Sequence, residues 1–205
     1  MLNRHAREFF TKLFTPLARF LIKRGVTPDT VTVVGTFGSV LGALILFPMG
    51  QLFWGTIVIT AFIFSDVVDG IMARLPEHKS TNDGRWGSFL DSTMDRLGDG
   101  AIFTGVAIWF FTGGNNVAIG IAALACLVSG SLVSYARAKA EALGFDANTG
   151  IAERAERLVL TLVFTGLTGL GLNEWVLCFV LILLALASVV TVLQRVWKVR
   201  TQALL

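Results

Sequence analysis

The sequence predicts an all-α, polytopic membrane protein with six transmembrane helices and an N-terminal amphipathic interfacial helix. Apolar residues make up 54% of the 205 residues and charged residues only 15%, and the mean hydropathy is +0.72. The apolar residues are gathered in segments of about 20 residues, the length that a helix needs to cross a hydrocarbon core. We therefore expect a single membrane domain over residues 1–205, with a juxtamembrane helix in 1–27 and a six-helix bundle in 28–205.

The first element is predicted in residues 3–24, where apolar side chains recur at helical spacing with Arg and Lys between them. This pattern favours a helix that lies on the cytoplasmic leaflet, although a helix packed on the bundle would share much of it. No short hydrophobic core with a small-residue cleavage site precedes the first span, so we expect no cleaved signal peptide. Residues 27–30 (Thr-Pro-Asp-Thr) suit the start of the next helix, and we expect their side chains to face a cytoplasmic pocket.

Six apolar segments follow, each near the length of a membrane span. They cover roughly residues 30–49, 52–73, 89–112, 116–138, 155–172 and 175–195. The connections at 47–51, 112–116 and 171–174 contain no Lys or Arg, whereas all 17 basic residues lie at or near the opposite ends of the spans. By the positive-inside rule, both termini and the polar site described below are cytoplasmic. We expect a multi-pass protein of the cell membrane.

The net charge of +3 is explained by this topology and by anionic lipid headgroups, so no nucleic-acid partner is expected. Cys126 and Cys178 fall inside predicted spans, without paired spacing or a nearby His. We expect both to be buried apolar side chains rather than disulfide partners or metal ligands.

Four aspartates lie in apolar, helix-forming sequence at the cytoplasmic ends of the second and third spans. Asp66 and Asp69 are three residues apart and share one helix face, while Asp91 and Asp95 lie one turn apart on the next helix. A carboxylate at mid-span costs about 2.5 to 3.5 kcal/mol on insertion scales, so such residues indicate a functional site. Two helices can direct these four acids at one point.

Four clustered carboxylates require either protons or cations. All-oxygen ligation suits Mg2+ or Mn2+ rather than zinc, and two divalent ions would neutralise four aspartates. A paired metal site serves displacement at phosphorus, and a carboxylate that faces the acceptor can remove its proton. Gly70 and Gly87 lie beside the acids, where the missing side chain lets a polar ligand approach the backbone. Arg74 could meet a ligand phosphate.

The run Asp66-x-x-Asp69-Gly70-x-x-Ala73-Arg74, followed by Gly87-x-x-x-Asp91-x-x-x-Asp95, resembles the signature of the CDP-alcohol phosphotransferases at all eight specified positions. The resemblance implies a six-helix membrane fold, usually homodimeric, that transfers a phosphatidyl or related group from a CDP-linked donor to an alcohol and releases CMP. It implies that Asp66, Asp69 and Asp91 bind metal, and that Asp95 ligates metal or acts as general base. The expected donor-binding residues are Pro28, Asp29, Thr30, Val31, Asp66, Asp69, Gly70, Ala73, Arg74, Gly84 and Gly87.

Three later segments, at residues 134–141, 151–158 and 194–195, look like the phosphatidylinositol phosphate synthases of this family, which use CDP-diacylglycerol and an inositol phosphate. Arg presents paired donors to phosphate, so a phosphorylated acceptor explains why several would converge at the cytoplasmic ends of the last three spans. The expected acceptor-phosphate residues are Ser134, Arg137, Arg154, Arg157 and Arg195. Lys139 lies on another face and is expected to meet lipid headgroups.

Two features depart from the family pattern. The loop at 76–84 is longer than expected, and Gly84 stands where the family often has a donor-binding side chain. Asp99 continues the stripe of Asp91 and Asp95 by one turn but lies outside the signature. We expect it to pair with a polar or basic neighbour.

Two alternatives stay open. The same chemistry with glycerol 3-phosphate as acceptor would use a similar basic pocket. A cation transporter would bind its ion with the same aspartates, but transporters often have helices broken near mid-membrane, whereas the four prolines fall at the ends of the predicted spans or outside them. The expected partners are CDP-diacylglycerol, a soluble phosphorylated alcohol, anionic lipids and a second copy of the chain.

Overall fold

The computed structural model describes residues 2–75 and 84–204, and within these it contains eight α-helices and no strand. The all-α prediction is therefore confirmed for the described part of the chain. The helices are α1 (Leu2–Lys23), α2 (Pro28–Leu46), α3 (Leu52–Ile63), α4 (Ser65–Met72), α5 (Arg85–Thr112), α6 (Val117–Ala142), α7 (Arg154–Gly169) and α8 (Glu174–Ala203).

Four helical stretches are long and apolar enough to cross a membrane: α2, α3 together with α4, α6 and α8. These confirm four of the six predicted spans by length and composition. The first half of α5 carries several charged residues, and α7 has only 16 residues, about 24 Å at the helical rise. The two spans expected there stay predictions.

The second predicted span is interrupted, because α3 ends at Ile63 and α4 begins at Ser65. Phe64 between them keeps helical dihedral angles of −62° and −15°, so the chain is not unwound. Gly35 of α2 lies against this junction, where a Cβ atom would come within 1.6 Å of Ser65 Oγ. The interruption therefore falls two residues before Asp66 and involves no proline.

The last helix is longer than the sequence predicts. α8 continues to Ala203, whereas the predicted span ends near residue 195. Residues 196–203 contain no Gly or Pro, and Arg200 in the last turn interacts favourably with the negative end of the helix dipole. The extension carries polar side chains that contact the loop before α7, as described below.

The described residues form two compact units. The first comprises residues 1–42 and 58–98 and contains α1, α4 and parts of α2, α3 and α5. The second comprises residues 43–57 and 99–205 and contains α6, α7, α8 and the remaining parts of those three helices. The four aspartates belong to the first unit, and the five residues expected to bind the acceptor belong to the second.

In the first unit, α1 packs against α4. Ala18 joins a buried cluster with Val68, Ile71 and Met72 of α4, and Leu21 packs against its edge. Leu17 and Phe20 stay exposed on a different face of α1. Helix α1 thus has two apolar faces, one packed on α4 and one open, which is why the sequence could not separate a packed helix from an interfacial one.

In the second unit, α8 packs against both α6 and α7. Asn116 at the start of α6 donates a hydrogen bond from Nδ2 to Glu174 Oε1 at 2.7 Å. Cys126 and Cys178 are both buried, as predicted, and Cys126 donates from Sγ to the carbonyl oxygen of Leu181. These contacts fix the helices that carry the basic residues.

Candidate functional site

The four signature aspartates lie on α4 and α5 of the first unit. Asp69 is buried, Asp66 and Asp95 are half-buried, and Asp91 is exposed. The helical spacing predicted from the sequence is therefore present on both helices.

Asp69 is the buried centre of this group. Its carboxylate accepts a hydrogen bond from the hydroxyl of Thr32 on α2 and interacts with the backbone N–H of Gly70. The negative charges of Asp91 and Asp95 act on it unfavourably, so charges from both helices meet at Asp69. The sequence pattern does not single out Thr32, although Thr32 follows Pro28 by one helical turn and so shares its face.

The four carboxylates are not gathered into a metal-binding cluster in the described part of the structure. Among the described residues, no group of three or more His, Cys, Asp or Glu side chains is arranged to hold a metal ion. Like charges repel, and the acids contact local groups instead: Asp69 contacts Thr32, and Asp95 lies 4.0 Å from Arg96. The donor set of four carboxylates, in which Asp91 and Asp95 repel Asp69, fits a hard divalent cation in its chemistry.

Arg74 and the two signature glycines differ in their surroundings. Arg74 is exposed and donates from Nε to the carbonyl oxygen of Gly70 at 2.6 Å. A Cβ atom at Gly70 would lie 3.0 Å from Arg74 Nη2, whereas one at Gly87 would meet nothing within 4 Å. Open backbone for a ligand is therefore found at Gly87, while the guanidinium covers Gly70.

The start of α2 is held by side-chain hydrogen bonds within the first unit. Thr27 Oγ1 accepts a hydrogen bond from the backbone N–H of Thr30 at 3.2 Å and caps the helix. Asp29 accepts a hydrogen bond from Trp86 Nε1 at 2.8 Å, a contact that the sequence pattern does not predict. Asp29 thus links α2 to the first turn of α5, which carries Gly87.

The other expected donor-binding residues have varied environments. Pro28 is buried, Ala73 is exposed, and Val31 packs against the cluster between α1 and α4. Gly84 is exposed and has a φ of +74°, which suits glycine at the turn before α5. Residues 76–83 of the preceding loop lie outside the described residues.

In the second unit, two buried arginines flank α6. Arg157 is only 2% exposed and donates from Nη1 to the carbonyl oxygen of Ala152, and its guanidinium lies against Gly130, where a Cβ atom would come within 3.0 Å of Nε. Arg195 is 4% exposed and donates from Nη1 to the carbonyl oxygen of Val133 at 2.5 Å. Both side chains therefore meet the same stretch of α6.

The remaining acceptor candidates lie nearby or pair locally. Ser134 donates to the carbonyl oxygen of Gly130 at 3.3 Å. Arg137 is exposed, pairs with Glu141 at 2.8 Å and interacts electrostatically with Arg195. The structure thus gathers Ser134, Arg157 and Arg195 along one stretch of α6, with Arg137 one turn further.

Arg154 begins α7 and forms an ion pair with Asp99 of α5, with Nε and Oδ1 3.0 Å apart. This confirms that Asp99 pairs with a basic neighbour. The partner is one of the residues expected to bind the acceptor, and the sequence pattern does not predict this pairing because the two residues are 55 positions apart.

The loop between α6 and α7 is bound along one stripe of α8. Thr191 Oγ1 accepts from the backbone N–H groups of Ile151 and Ala152 at 3.2 and 3.1 Å. Arg195 donates from Nε to the carbonyl oxygen of Thr149 at 2.9 Å. We call the α8 residues that contact this loop the loop-binding stripe. Its members are Thr191, Arg195, Lys198 and Gln202.

Comparison with known proteins places these features in a family. The family model for CDP-alcohol phosphatidyltransferases matches residues 25–193. A phosphatidylinositol phosphate synthase from Streptomyces avermitilis is 50% identical over 210 residues, which cover 99% of this chain and 84% of that protein. One from Cutibacterium acnes is 48% identical and covers 96% of both chains.

Two solved structures of a phosphatidylinositol phosphate synthase also resemble this chain. Mycobacterium tuberculosis phosphatidylinositol phosphate synthase in complex with manganese and citrate aligns with a TM-score of 0.85 and 42% identity, covering 92% of this chain and 89% of that one. The same enzyme with CDP-diacylglycerol bound aligns with a TM-score of 0.84 and 42% identity, covering 92% and 94%.

Proposed function

Because this chain belongs to the CDP-alcohol phosphatidyltransferase family, we propose that it transfers the phosphatidyl group from CDP-diacylglycerol to an inositol phosphate. The products are phosphatidylinositol phosphate and CMP. The observation that carries this proposal is the 50% identity over 99% of the chain with a phosphatidylinositol phosphate synthase. The signature aspartates on α4 and α5 support it, as do the arginines gathered along α6.

The first unit supplies the donor site in this proposal. Asp66, Asp69, Asp91 and Asp95 hold two Mg2+ ions, or Mn2+, because carboxylate oxygens suit hard cations. When bound, the ions neutralise charge on the transferred phosphoryl group and on the departing CMP. The start of α2 and residues Gly70, Ala73, Arg74, Gly84 and Gly87 hold the nucleotide part.

The reaction itself needs one proton acceptor. Asp95 removes the proton from a hydroxyl of the inositol phosphate as the hydroxyl oxygen bonds to the phosphorus that carries diacylglycerol. The bond from that phosphorus to the CMP oxygen breaks, and CMP leaves with its electron pair. No covalent enzyme intermediate is required.

The second unit supplies the acceptor site in this proposal. Ser134, Arg137, Arg154, Arg157 and Arg195 bind the phosphate of the acceptor, since guanidinium groups present paired donors to phosphate oxygens. The repulsion between the guanidinium groups of Arg137 and Arg195 supports this role, because an anionic ligand between them would relieve it.

The membrane arrangement belongs to the same proposal. Six spans, formed by α2, α3 with α4, α5, α6, α7 and α8, place both termini and the site on the cytoplasmic side of the cell membrane. The absence of Lys and Arg from residues 47–51, 112–116 and 171–174 supports this orientation. Residues 1–205 form one catalytic domain in this proposal, and two copies of the chain form a homodimer. The open apolar face of α1 inserts into the cytoplasmic leaflet, and the basic residues of α1 meet anionic lipid headgroups.

The test is an acceptor comparison. The purified protein in lipid nanodiscs is incubated with CDP-diacylglycerol, Mg2+ and either inositol phosphate or glycerol 3-phosphate, and CMP and the lipid product are quantified by mass spectrometry. We expect CMP and phosphatidylinositol phosphate only with the first acceptor, and no product after chelation with EDTA. A glycerophosphate product instead would assign the second acceptor. Absence of CMP with both would contradict the transferase function.

A further inference from the structure

The ion pair between Asp99 and Arg154 lies within the second unit and is largely shielded from solvent. Asp99 Oδ1 and Arg154 Nε are 3.0 Å apart, and the two side chains are 11% and 28% exposed. Asp99 lies one turn after Asp95 on α5 but stands outside the eight-position signature. Shielding a carboxylate from water costs desolvation free energy, which a solvent-exposed carboxylate does not lose.

Stability alone is a weak reason for such a pair. The desolvation penalty of a shielded ion pair often exceeds the Coulombic gain, and replacement by apolar residues is often neutral. The residues that follow Asp99 on α5 show that apolar side chains fit here, since Ala101, Ile102 and Phe103 are all buried. The pair therefore points to a requirement for a fixed Arg154 side chain.

Arg154 occupies a position that favours anions. It is the first residue of α7, where backbone N–H groups and the helix dipole attract negative charge. Arg157 follows three residues later and is buried beside Gly130. A guanidinium on a long stem has many rotamers, and a carboxylate on Nε fixes the plane of its five donors.

We propose that Asp99 is a positioning residue for the acceptor: through its contact with Nε, it holds the guanidinium of Arg154 in the orientation that binds the acceptor phosphate. This rests on the proposed function, because Arg154 must bind that phosphate. Asp99 touches neither the reacting atoms nor the nucleotide in this role. Its effect is on binding of the acceptor rather than on the chemical step.

The experiment measures steady-state kinetics of Asp99→Asn in nanodiscs, with inositol phosphate and CDP-diacylglycerol varied separately. A charge-assisted hydrogen bond is lost, so we expect KM for inositol phosphate to rise about tenfold or more, while kcat and KM for the donor change less than about threefold. Asp99→Glu keeps the charge and should recover part of the loss. Glu174→Gln, which removes a carboxylate that accepts from Asn116, is the matched control.

A double-mutant cycle keeps the proposal falsifiable if Asp99→Asn alone fails to fold. Arg154→Gln should raise the acceptor KM, and Arg154→Gln with Asp99→Asn should not raise it by more than about a further twofold, because Asp99 acts only through Arg154. A larger further rise, or a normal acceptor KM in Asp99→Asn, would overturn the proposal. A wild-type protein that does not use inositol phosphate would instead refute the proposed function.

Discussion

The hydroxyl of Thr32 on α2 donates a hydrogen bond to the carboxylate of Asp69 on α4. Thr32 is 6% exposed and Asp69 is 5% exposed, so water cannot readily replace this bond. The bond fixes the orientation of the buried carboxylate while the charges of Asp91 and Asp95 repel it. Helix α2 therefore takes part in the acidic site without contributing a carboxylate to it.

Thr32→Val tests this contact. The substitution keeps the shape of the side chain but removes the donor, so Asp69 loses its orientation. We expect the Mg2+ concentration for half-maximal activity to rise about tenfold, the lower range for partners that orient metal ligands. The measurement is a Mg2+ titration of CMP release. Thr36→Val, which alters another buried threonine of α2, should leave the titration unchanged. An unshifted curve for Thr32→Val would show that the bond is dispensable.

Asp95→Asn tests the proposed base. The amide cannot accept the hydroxyl proton, so we expect kcat to fall by about 10² to 10⁴-fold, the usual contribution of general-base catalysis. Binding of CDP-diacylglycerol, measured by isothermal titration calorimetry, should be largely retained. Asp91→Asn provides the contrast, because its main effect should appear in the Mg2+ titration. Normal turnover by Asp95→Asn would exclude it as the base.

Gly130→Ala tests whether the buried guanidinium of Arg157 binds the acceptor. The added Cβ atom would come within 3.0 Å of Nε, so the side chain must shift. Overpacking of this kind costs about 1 to 3 kcal/mol of stability, and we expect a lower melting temperature together with a higher KM for inositol phosphate. Gly100→Ala is the control, because a Cβ atom there meets nothing within 4 Å. A lower melting temperature with an unchanged acceptor KM would separate Arg157 from the acceptor site.

The contact between Asp146 and Lys198 gives a prediction about pH. Lys198 Nζ lies 2.7 Å from Asp146 Oδ2, and this hydrogen bond lowers the pKa of Asp146 below its ordinary value of 3.8. A carboxyl whose folded-state pKa is lowered stabilises the fold above its unfolded-state pKa, and that contribution is lost as the pH falls through the folded-state pKa.

The measurement compares the melting temperatures of the wild type and Lys198→Met. We expect the same small difference at pH 5 and pH 7, because Asp146 is ionised at both, and a smaller difference below pH 3.8. The exposed position of Asp146 keeps the effect small at high salt. If the difference in melting temperature changes between pH 5 and pH 7, another titrating group causes it.

The sequence predicts best where the pattern is local. The positions of the four aspartates on two helices follow from their spacing, and the start of α2 at Pro28 follows from Pro and Asp, residue types that suit a helix start. The contacts of Asp69 with Thr32 and of Arg195 with Thr149 were not foreseen, because they join residues 37 and 46 positions apart. Helical periodicity gives the face of a side chain but not the residue that it meets on another helix.

The sequence pattern also does not predict the interruption at Phe64 or the extension of α8. Nothing in residues 60–66 departs from helix-forming sequence, and the close approach of Gly35 to Ser65 depends on how α2 packs. Hydropathy predicts the end of α8 near residue 195, yet the helix continues to Ala203, and Lys198 and Gln202 contact the loop before α7. Hydropathy indicates which residues suit a lipid environment. It does not predict where a helix ends when its last turns carry polar residues.

The loop-binding stripe divides α8 into two faces, and we expect different evolutionary constraints on them. Thr191 and Arg195 are buried and hold the backbone of a loop, so few substitutions preserve their geometry. Leu193 and Val196 point outward and are 62% and 56% exposed, where most apolar side chains would serve. Among orthologues, we expect substitutions to accumulate on the outer face. Residues of the loop-binding stripe should change only together with residues of the loop that they contact.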